Sequence, residues 1–251
     1  MDGAPRSDAL APDALHDLLD ALWPPRCLLC GASRPDGQPC GEHDPSLLEP
    51  VPRCGRCASR LPAGLPDGQR CAACVRRPPG FTHALCVGDY GPGEPLRPWL
   101  LALKHGGRRD LARPLGQALG ARLAEEVGGR EELLVPVPLH PLRRLERGHD
   151  QARLLAREAG RAAGCTWRPL LVRRRWTEPQ GTPGAGSRRT AVAGAFRPRR
   201  GAARVLRGRA VWLVDDVLTS GATLSECARV LRRAGARSVG ALVVARALPG
   251  G

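Results

Sequence analysis

The chain has 251 residues, a formal net charge of +15, 42% hydrophobic residues and only 3% aromatics. That length fits one large or two smaller domains, with a core of Leu, Val and Ala. No run approaches the ~18 apolar residues of a spanning helix, and the first 25 residues carry five aspartates where a signal peptide has a basic start and an apolar run, so membrane insertion is not expected and a cytoplasmic protein is.

The charge is unevenly placed. Residues 1–80 hold nine arginines against ten acids, whereas Arg168 to Arg209 holds twelve arginines against one acid, Glu178. Such density points to polyanionic partners, and Arg173, Arg174 and Arg175 are its densest run. The competing reading is a chain that overuses Arg, Ala, Gly and Pro throughout. Of 39 basic residues only Lys104 is a lysine. A compact ammonium suits a tight anion site better than a wide guanidinium fork; chance survival of one lysine is the alternative.

In chain order, residues 1–25 predict an amphipathic helix, with Leu15, Leu18, Leu19 and Leu22 on one face and Pro24-Pro25 as its stop. Residues 26–80 follow as a cysteine-rich segment with four ligand pairs: Cys27-x-x-Cys30, Cys40-x-x-His43, Cys54-x-x-Cys57 and Cys71-x-x-Cys74. Each pair is the tight turn that presents two ligands to one tetrahedral zinc, and closely spaced cysteines in the cytosol bind metal more often than they form disulfides. Sequential assignment gives two structural Zn²⁺ sites. The first is Cys27, Cys30, Cys40 and His43, with His43 either a ligand or a bystander; the second is Cys54, Cys57, Cys71 and Cys74. Few hydrophobes separate the pairs, so folding here leans on metal, at about 10–16 kcal/mol per site. All positions are filled, which argues against catalysis at zinc. Loss of Cys54 is expected to unfold this ribbon and spare the rest.

After Pro78-Pro79-Gly80 the composition changes, and residues 81–251 read as an α/β domain. Strands are predicted near Leu85–Tyr90, Leu133–Pro138, Leu170–Arg173, Gly194–Arg197, Arg209–Val214 and Val239–Arg246. Helices are predicted over Leu96–Lys104, over a segment with Leu111, Leu115, Leu119 and Leu123 at four-residue spacing, over Asp150–Ala163 with Asp150 as N-cap, and over 222–234. This alternation argues for a parallel sheet with ligand at the carboxyl ends of its strands. Thr177–Thr190, rich in Gly, Pro and Ser, reads as a mobile flap. Cys86, Cys165 and Cys227 are isolated and read as small core or helix residues.

The most informative segment is Val211-Trp212-Leu213-Val214-Asp215-Asp216-Val217-Leu218-Thr219-Ser220-Gly221-Ala222-Thr223. A buried strand ends at two adjacent aspartates, and a small-residue loop then opens a helix. Backbone N–H groups at a helix N-terminus cradle phosphate, and two carboxylates accept from a diol, so the pattern describes a site for ribose 5-phosphate. The segment resembles the phosphoribosyl-pyrophosphate signature of type I phosphoribosyltransferases. By that resemblance Asp215 and Asp216 meet the ribose hydroxyls, and Thr219, Ser220, Gly221, Ala222 and Thr223 hold the 5′-phosphate.

The whole chain resembles the ComF family, in which a double zinc ribbon precedes a type I phosphoribosyltransferase-like domain. The resemblance runs through Pro24-Pro25-Arg26-Cys27-Leu28-Leu29-Cys30, Tyr90-Gly91, Leu103-Lys104-His105-Gly106-Gly107, Val135-Pro136-Val137-Pro138-Leu139, Arg147-Gly148-His149-Asp150-Gln151, Gln180, Arg188 or Arg189, and Ala191 to Phe196. His149-Asp150 stands where the family has Phe-Asn, Ala191 where it has Asn, and His43 where it has Cys. The resemblance implies a role in DNA uptake during natural transformation, with single-stranded DNA and a partner helicase.

Three functions follow. As an Mg²⁺-dependent phosphoribosyltransferase, the protein orients ribose with Asp215 and Asp216 and holds pyrophosphate with Lys104, Gly106 and Gly107. Arg188 or Arg189 then closes from the flap, and His149 is the one candidate base. As an accessory factor, it binds phosphoribosyl pyrophosphate or a ribose phosphate, including that of the nucleic acid itself, without transferring it. As a sensor, it keeps the pocket and docks partners through the ribbon.

Overall fold

The computed structural model describes residues 27, 30–32, 44, 45, 48, 51–129, 132–174 and 192–248. The chain divides into two compact units, Met1–Asp44 and Pro45–Gly251. The expected N-terminal helix, the flap, and the residues Cys40, His43, Arg175, Gln180, Arg188, Arg189 and Ala191 lie outside the described residues. In the first unit, Cys27 N–H donates to Ala32 O at 2.8 Å and Gly31 N–H to Cys27 O at 2.9 Å, which closes a tight turn around Cys27 and Cys30.

The second unit begins with a cysteine knuckle that includes helix α1 (Ala72–Arg76). It continues as β1 (Ala84–Tyr90), α2 (Leu96–His105), α3 (Ala112–Val127), β2 (Leu133–Pro136), α4 (Pro141–Arg147), α5 (Gln151–Ala163), β3 (Thr166–Trp167), β4 (Leu171–Arg173), β5 (Phe196–Pro198), α6 (Ala202–Leu206), β6 (Ala210–Leu218), α7 (Ala222–Arg233) and β7 (Ser238–Ala247). Five strands form one parallel sheet in the order β1-β7-β6-β2-β3. The central strands are apolar on both faces because helices cover both: Val211, Leu213, Val239 and Ala241 are buried on one face and Trp212, Val214, Leu242 and Val244 on the other. Helices α3 and α5 cross closely, and glycine makes that possible: a Cβ at Gly116 would stand 2.4 Å from Glu158 Cβ, and one at Gly120 2.5 Å from Ala162 Cβ. Cys86, Cys165 and Cys227 are buried, as their isolation suggested.

Two expectations are corrected. The segments near 170–173 and 194–197 do not join the parallel sheet; β4 and β5 pair antiparallel as a separate ribbon. Strand β6 also runs past Val214 to Leu218, so the acid pair sits within the strand, not beyond it. The reason is the register. Strand β2 leaves β6 at Pro136 opposite Val214, while β7 stays paired with β6 as far as Arg246 opposite Leu218. Beyond Val214 one edge of β6 is therefore open, and the aspartates stand at that opening.

The knuckle is joined to the sheet and is not a free ribbon. Arg53 meets the buried Asp89 of β1 in a two-pronged pair, Nη1 to Oδ1 at 2.9 Å and Nη2 to Oδ2 at 2.8 Å, and Arg60 Nε reaches the same carboxylate. The two guanidiniums outweigh the cost of burial and hold Asp89 below its ordinary value. Ala58 is part of the main hydrophobic core. Arg56 donates to Thr82 O at 2.9 Å and to Pro79 O at 3.0 Å. Loss of Cys54 is therefore expected to reach the α/β part and not to spare it.

Candidate functional site

The loop after β6 is built by ordinary local rules. Gly221 adopts φ 74°, a left-handed turn that favours glycine. It opens the twelve-residue α7, whose free N–H groups and positive end face the loop. Ser220 Oγ accepts from Ala222 N–H at 3.4 Å, which tightens the turn. Beneath it lies the buried Phe81, about 3.5 Å from where a Gly221 Cβ would be.

This loop and the acid pair open into one cavity of about 360 Å³. Thr219, Gly221 and Thr223 line one end and Asp215 and Asp216 the floor; Lys104, Gln151, Arg143, Arg147 and Arg173 complete it. Residues from five parts of the sequence thus converge at the carboxyl edge of the sheet, the position open α/β sheets reserve for ligands.

The acids are not equivalent. Asp216 is buried; its Oδ1 lies 3.3 Å from Lys104 Nζ, and its Oδ2 accepts from Gln151 Nε2 at 3.0 Å. Asp215 Oδ1 accepts from the Asp216 N–H at 2.9 Å. Burial and the neighbouring Asp216 charge push the Asp215 carboxyl up to about 8. Lys104 also stands 5.5 Å from the Tyr90 ring centre, so the lone lysine is held between a carboxylate and an aromatic face. Gly106 and Gly107 are exposed and line no part of the cavity. Gln151, which sequence reasoning placed only in a family motif, is a direct partner of the acid pair.

The upper wall is cationic. Burial and the charge of Arg147 lower the Arg143 guanidinium, and burial and Arg143 lower that of Arg173. Crowded cations of this kind are relieved by an anion between them. Arg143 and Arg147 come from α4, a helix with no buried residue that sequence periodicity did not predict.

His149, the candidate base, is buried outside the cavity lining, with Nδ1 2.8 Å from Arg147 O and Nε2 2.7 Å from Leu103 O. Both ring nitrogens face backbone carbonyls, so His149 ties α2 to the loop before α5 and does not face a substrate. Asp150 caps α5, accepting from Arg153 N–H at 3.2 Å, as the sequence predicted.

A second cavity of about 470 Å³ adjoins the first and shares Pro138, Leu139 and Arg173 with it. Its other lining includes Arg144, Arg153 and Arg199 beside Leu145 and Leu171, with Asp150 the sole acid of that lining among the described residues. Leu145 is 81% exposed.

Cys54, Cys57, Cys71 and Cys74 bring their Sγ atoms within 4.8 Å of one another. Burial opposes ionisation of Cys54, but the N–H groups of Cys71, Arg56 and Cys57 hold its thiol down to about 7. Burial raises Cys71 and Cys74. Four thiolates this close need a cation, and four sulfurs at this spacing suit tetrahedral zinc. The set fits a structural metal with no position left for substrate.

A family model described as phosphoribosyl transferase domain matches residues 155–249. The chain is 32% identical over 204 residues to the DNA utilization protein YhgH of Escherichia coli, covering 78% of this chain and 84% of that protein. It is 30% identical over 205 residues to competence protein F of Haemophilus influenzae, covering 80% and 87%. Among solved structures, a glutamine phosphoribosylpyrophosphate amidotransferase from B. subtilis shares 22% identity at a TM-score of 0.39, over 57% of this chain and 30% of that one. Among the described residues, no helix is long and apolar enough to cross a membrane.

Proposed function

The chain belongs to the ComF family of phosphoribosyltransferase-domain proteins, relatives of DNA utilization protein YhgH and competence protein F, and from that premise we propose that it binds the ribose 5-phosphate group of phosphoribosyl pyrophosphate or a related ribose phosphate and acts in the handling of single-stranded DNA. One observation carries the ligand: the Asp215–Asp216 pair shares one cavity with Thr219, Gly221 and Thr223 of the loop, while Ser220 and Ala222 lie outside its lining. The loop and the α7 N-terminus suit the 5′-phosphate. The acid pair suits a vicinal diol, and Lys104, Arg143, Arg147 and Arg173 suit the anionic remainder of the ligand. Mg²⁺ would accompany a pyrophosphate, supplying charge to the leaving oxygens. Arg188 or Arg189 would close from the flap.

Binding is the reading in preference to transfer. A general base assists transfer when it faces the incoming nucleophile, and His149, the candidate base from the sequence, is turned into backbone contacts instead. The alternative, an active Mg²⁺-dependent phosphoribosyltransferase of nucleotide salvage, requires a nucleophile that needs no base.

The DNA part rests on the second cavity. Arg144, Arg153, Arg173 and Arg199 around Leu145 and Leu171 offer phosphate contacts beside apolar surface for bases, and Arg174 and Arg175 extend the basic run. Within a DNA strand deoxyribose lacks the 2′-hydroxyl and its 3′ oxygen is esterified, so it offers the two carboxylates no diol, and the strand is assigned to this groove and not to the acid pair. A DNA-uptake helicase is the partner that the family's role implies.

A paired assay tests the reading: phosphoribosyl pyrophosphate binding and turnover, beside single-stranded DNA binding at two salt concentrations. Ligand binding without turnover, together with salt-dependent DNA binding that the ligand does not displace, is expected. Turnover with a nucleobase would move the assignment to the enzyme.

A further inference from the structure

Arg246 stands on β7 opposite Leu218, at the foot of the phosphate loop. Its Nη1 donates to Leu218 O at 2.5 Å and also to Thr219 O, while its Nε donates to Ser59 Oγ at 3.1 Å. Ser59 Oγ is in turn 3.3 Å from Cys57 Sγ, one of the four clustered thiols. A single guanidinium therefore holds the two carbonyls that lead into the loop and, through one hydroxyl, touches a metal ligand.

Peptide geometry gives this contact a direction. In a trans peptide the C=O of one residue and the N–H of the next point opposite ways. Pinning Leu218 O and Thr219 O toward Arg246 turns the N–H groups of Thr219 and Ser220 away from it, and Thr219 itself lines the ribose-phosphate cavity. Arg246 has no place in that lining, so it acts on the ligand only through the loop.

The cysteine cluster sets the other end of the chain. Ser59 Oγ accepts from Arg246 Nε and lies 3.3 Å from Cys57 Sγ. A metal held by the four sulfurs would fix Cys57 Sγ and, through that contact, the place of the Ser59 hydroxyl that Arg246 uses. The knuckle braces the loop by a second route as well: Gly80 N–H donates to Ser225 Oγ at 2.9 Å in the first turn of α7.

We propose that Arg246 is a positioning residue for the phosphate loop and that the metal held by Cys54, Cys57, Cys71 and Cys74 tunes ribose-phosphate affinity through Ser59. The proposal rests on the ribose-phosphate reading above. It gives the cysteine knuckle a part in ligand binding as well as in folding, and by linkage the ligand must act back on the metal site.

The test uses the full-length, zinc-loaded protein with Ser59→Ala and Arg246→Lys, titrated with ribose 5-phosphate by calorimetry. In parallel, cobalt(II) replaces zinc and the thiolate-to-cobalt charge-transfer bands are followed with and without ribose 5-phosphate. Ser59→Ala should keep its metal content and thermal midpoint yet bind about three- to tenfold more weakly, the weight of one hydrogen bond. Arg246→Lys should bind more weakly still, because one ammonium cannot stand at both the Nη1 position facing the carbonyls and the Nε position facing Ser59. Ribose 5-phosphate should shift the cobalt bands of the wild type and leave those of Ser59→Ala unmoved. Wild-type affinity in Ser59→Ala, with wild-type cobalt bands indifferent to saturating ligand, would overturn the proposal even if Arg246→Lys fails to fold. A wild type that takes up no ribose 5-phosphate overturns the pocket assignment, and this proposal with it.

Discussion

Lys104 Nζ lies 3.3 Å from Asp216 Oδ1, so the chain's one ammonium neutralises one acid of the pair, while burial and the Asp216 charge raise the other, Asp215, to about 8. A protonated Asp215 both donates and accepts hydrogen bonds, which suits a hydroxyl of a bound diol.

That asymmetry makes stability depend on pH in a stated direction. An acid whose folded value lies above its unfolded value of 3.8 binds more protons folded than unfolded, so its contribution falls as pH rises between about 4 and 8. Asp215→Asn removes this term. The variant should match wild type near pH 4 and gain thermal stability over it as pH rises toward 8, with no further gain above. Melting curves across that range check it; a constant difference between the two proteins would show that Asp215 titrates like an ordinary carboxylate.

Lys104→Arg should not be conservative. The ammonium fits between Asp216 and the Tyr90 ring, and a planar fork needs more width. Displacing it should weaken ribose 5-phosphate binding on the order of tenfold, the weight of one charge-assisted hydrogen bond. Wild-type affinity by calorimetry would make Lys104 an ordinary surface residue.

Cys54→Ser tests how far the knuckle reaches. Because Arg53, Ala58 and Arg60 are joined to β1 and the core, the variant should lose one metal equivalent and melt earlier in a single transition that includes the α/β part. Two separate transitions, with the later one at the wild-type midpoint, would restore an independent ribbon.

The groove makes a quantitative prediction. Replacing Arg144, Arg153 and Arg199 with Ala should flatten the log–log salt dependence of single-stranded DNA binding by about 2, at roughly 0.7 for each phosphate no longer neutralised, and weaken all sequences alike. Ribose 5-phosphate should not compete. An unchanged slope would place the strand elsewhere on the basic surface.

The phosphate loop was legible in the sequence because it is local: strand, acids, glycine turn and helix lie within thirteen consecutive residues. The strands β1, β2, β6 and β7 were legible because they are apolar runs bounded by turn residues. Helix α4 was not, since Pro141–Arg147 is seven residues long and buries none of them. Nor was the contact of Gln151 with Asp216, which joins residues 65 apart, or the place of His149, whose two carbonyl partners exist only once α2 and the loop before α5 meet. The antiparallel β4–β5 pair was misassigned because strand propensity does not say which sheet a strand joins.

The central claim is that Asp215, Asp216 and the Thr219–Thr223 loop form a ribose 5-phosphate site, and calorimetric titration of ribose 5-phosphate into wild type and into the Asp215→Asn, Asp216→Asn double variant tests it most directly. Saturable one-to-one binding by the wild type, lost in a double variant that remains folded and metal-loaded, is the predicted result. Equal affinity in both proteins, or no binding by a folded, metal-loaded wild type, would contradict it.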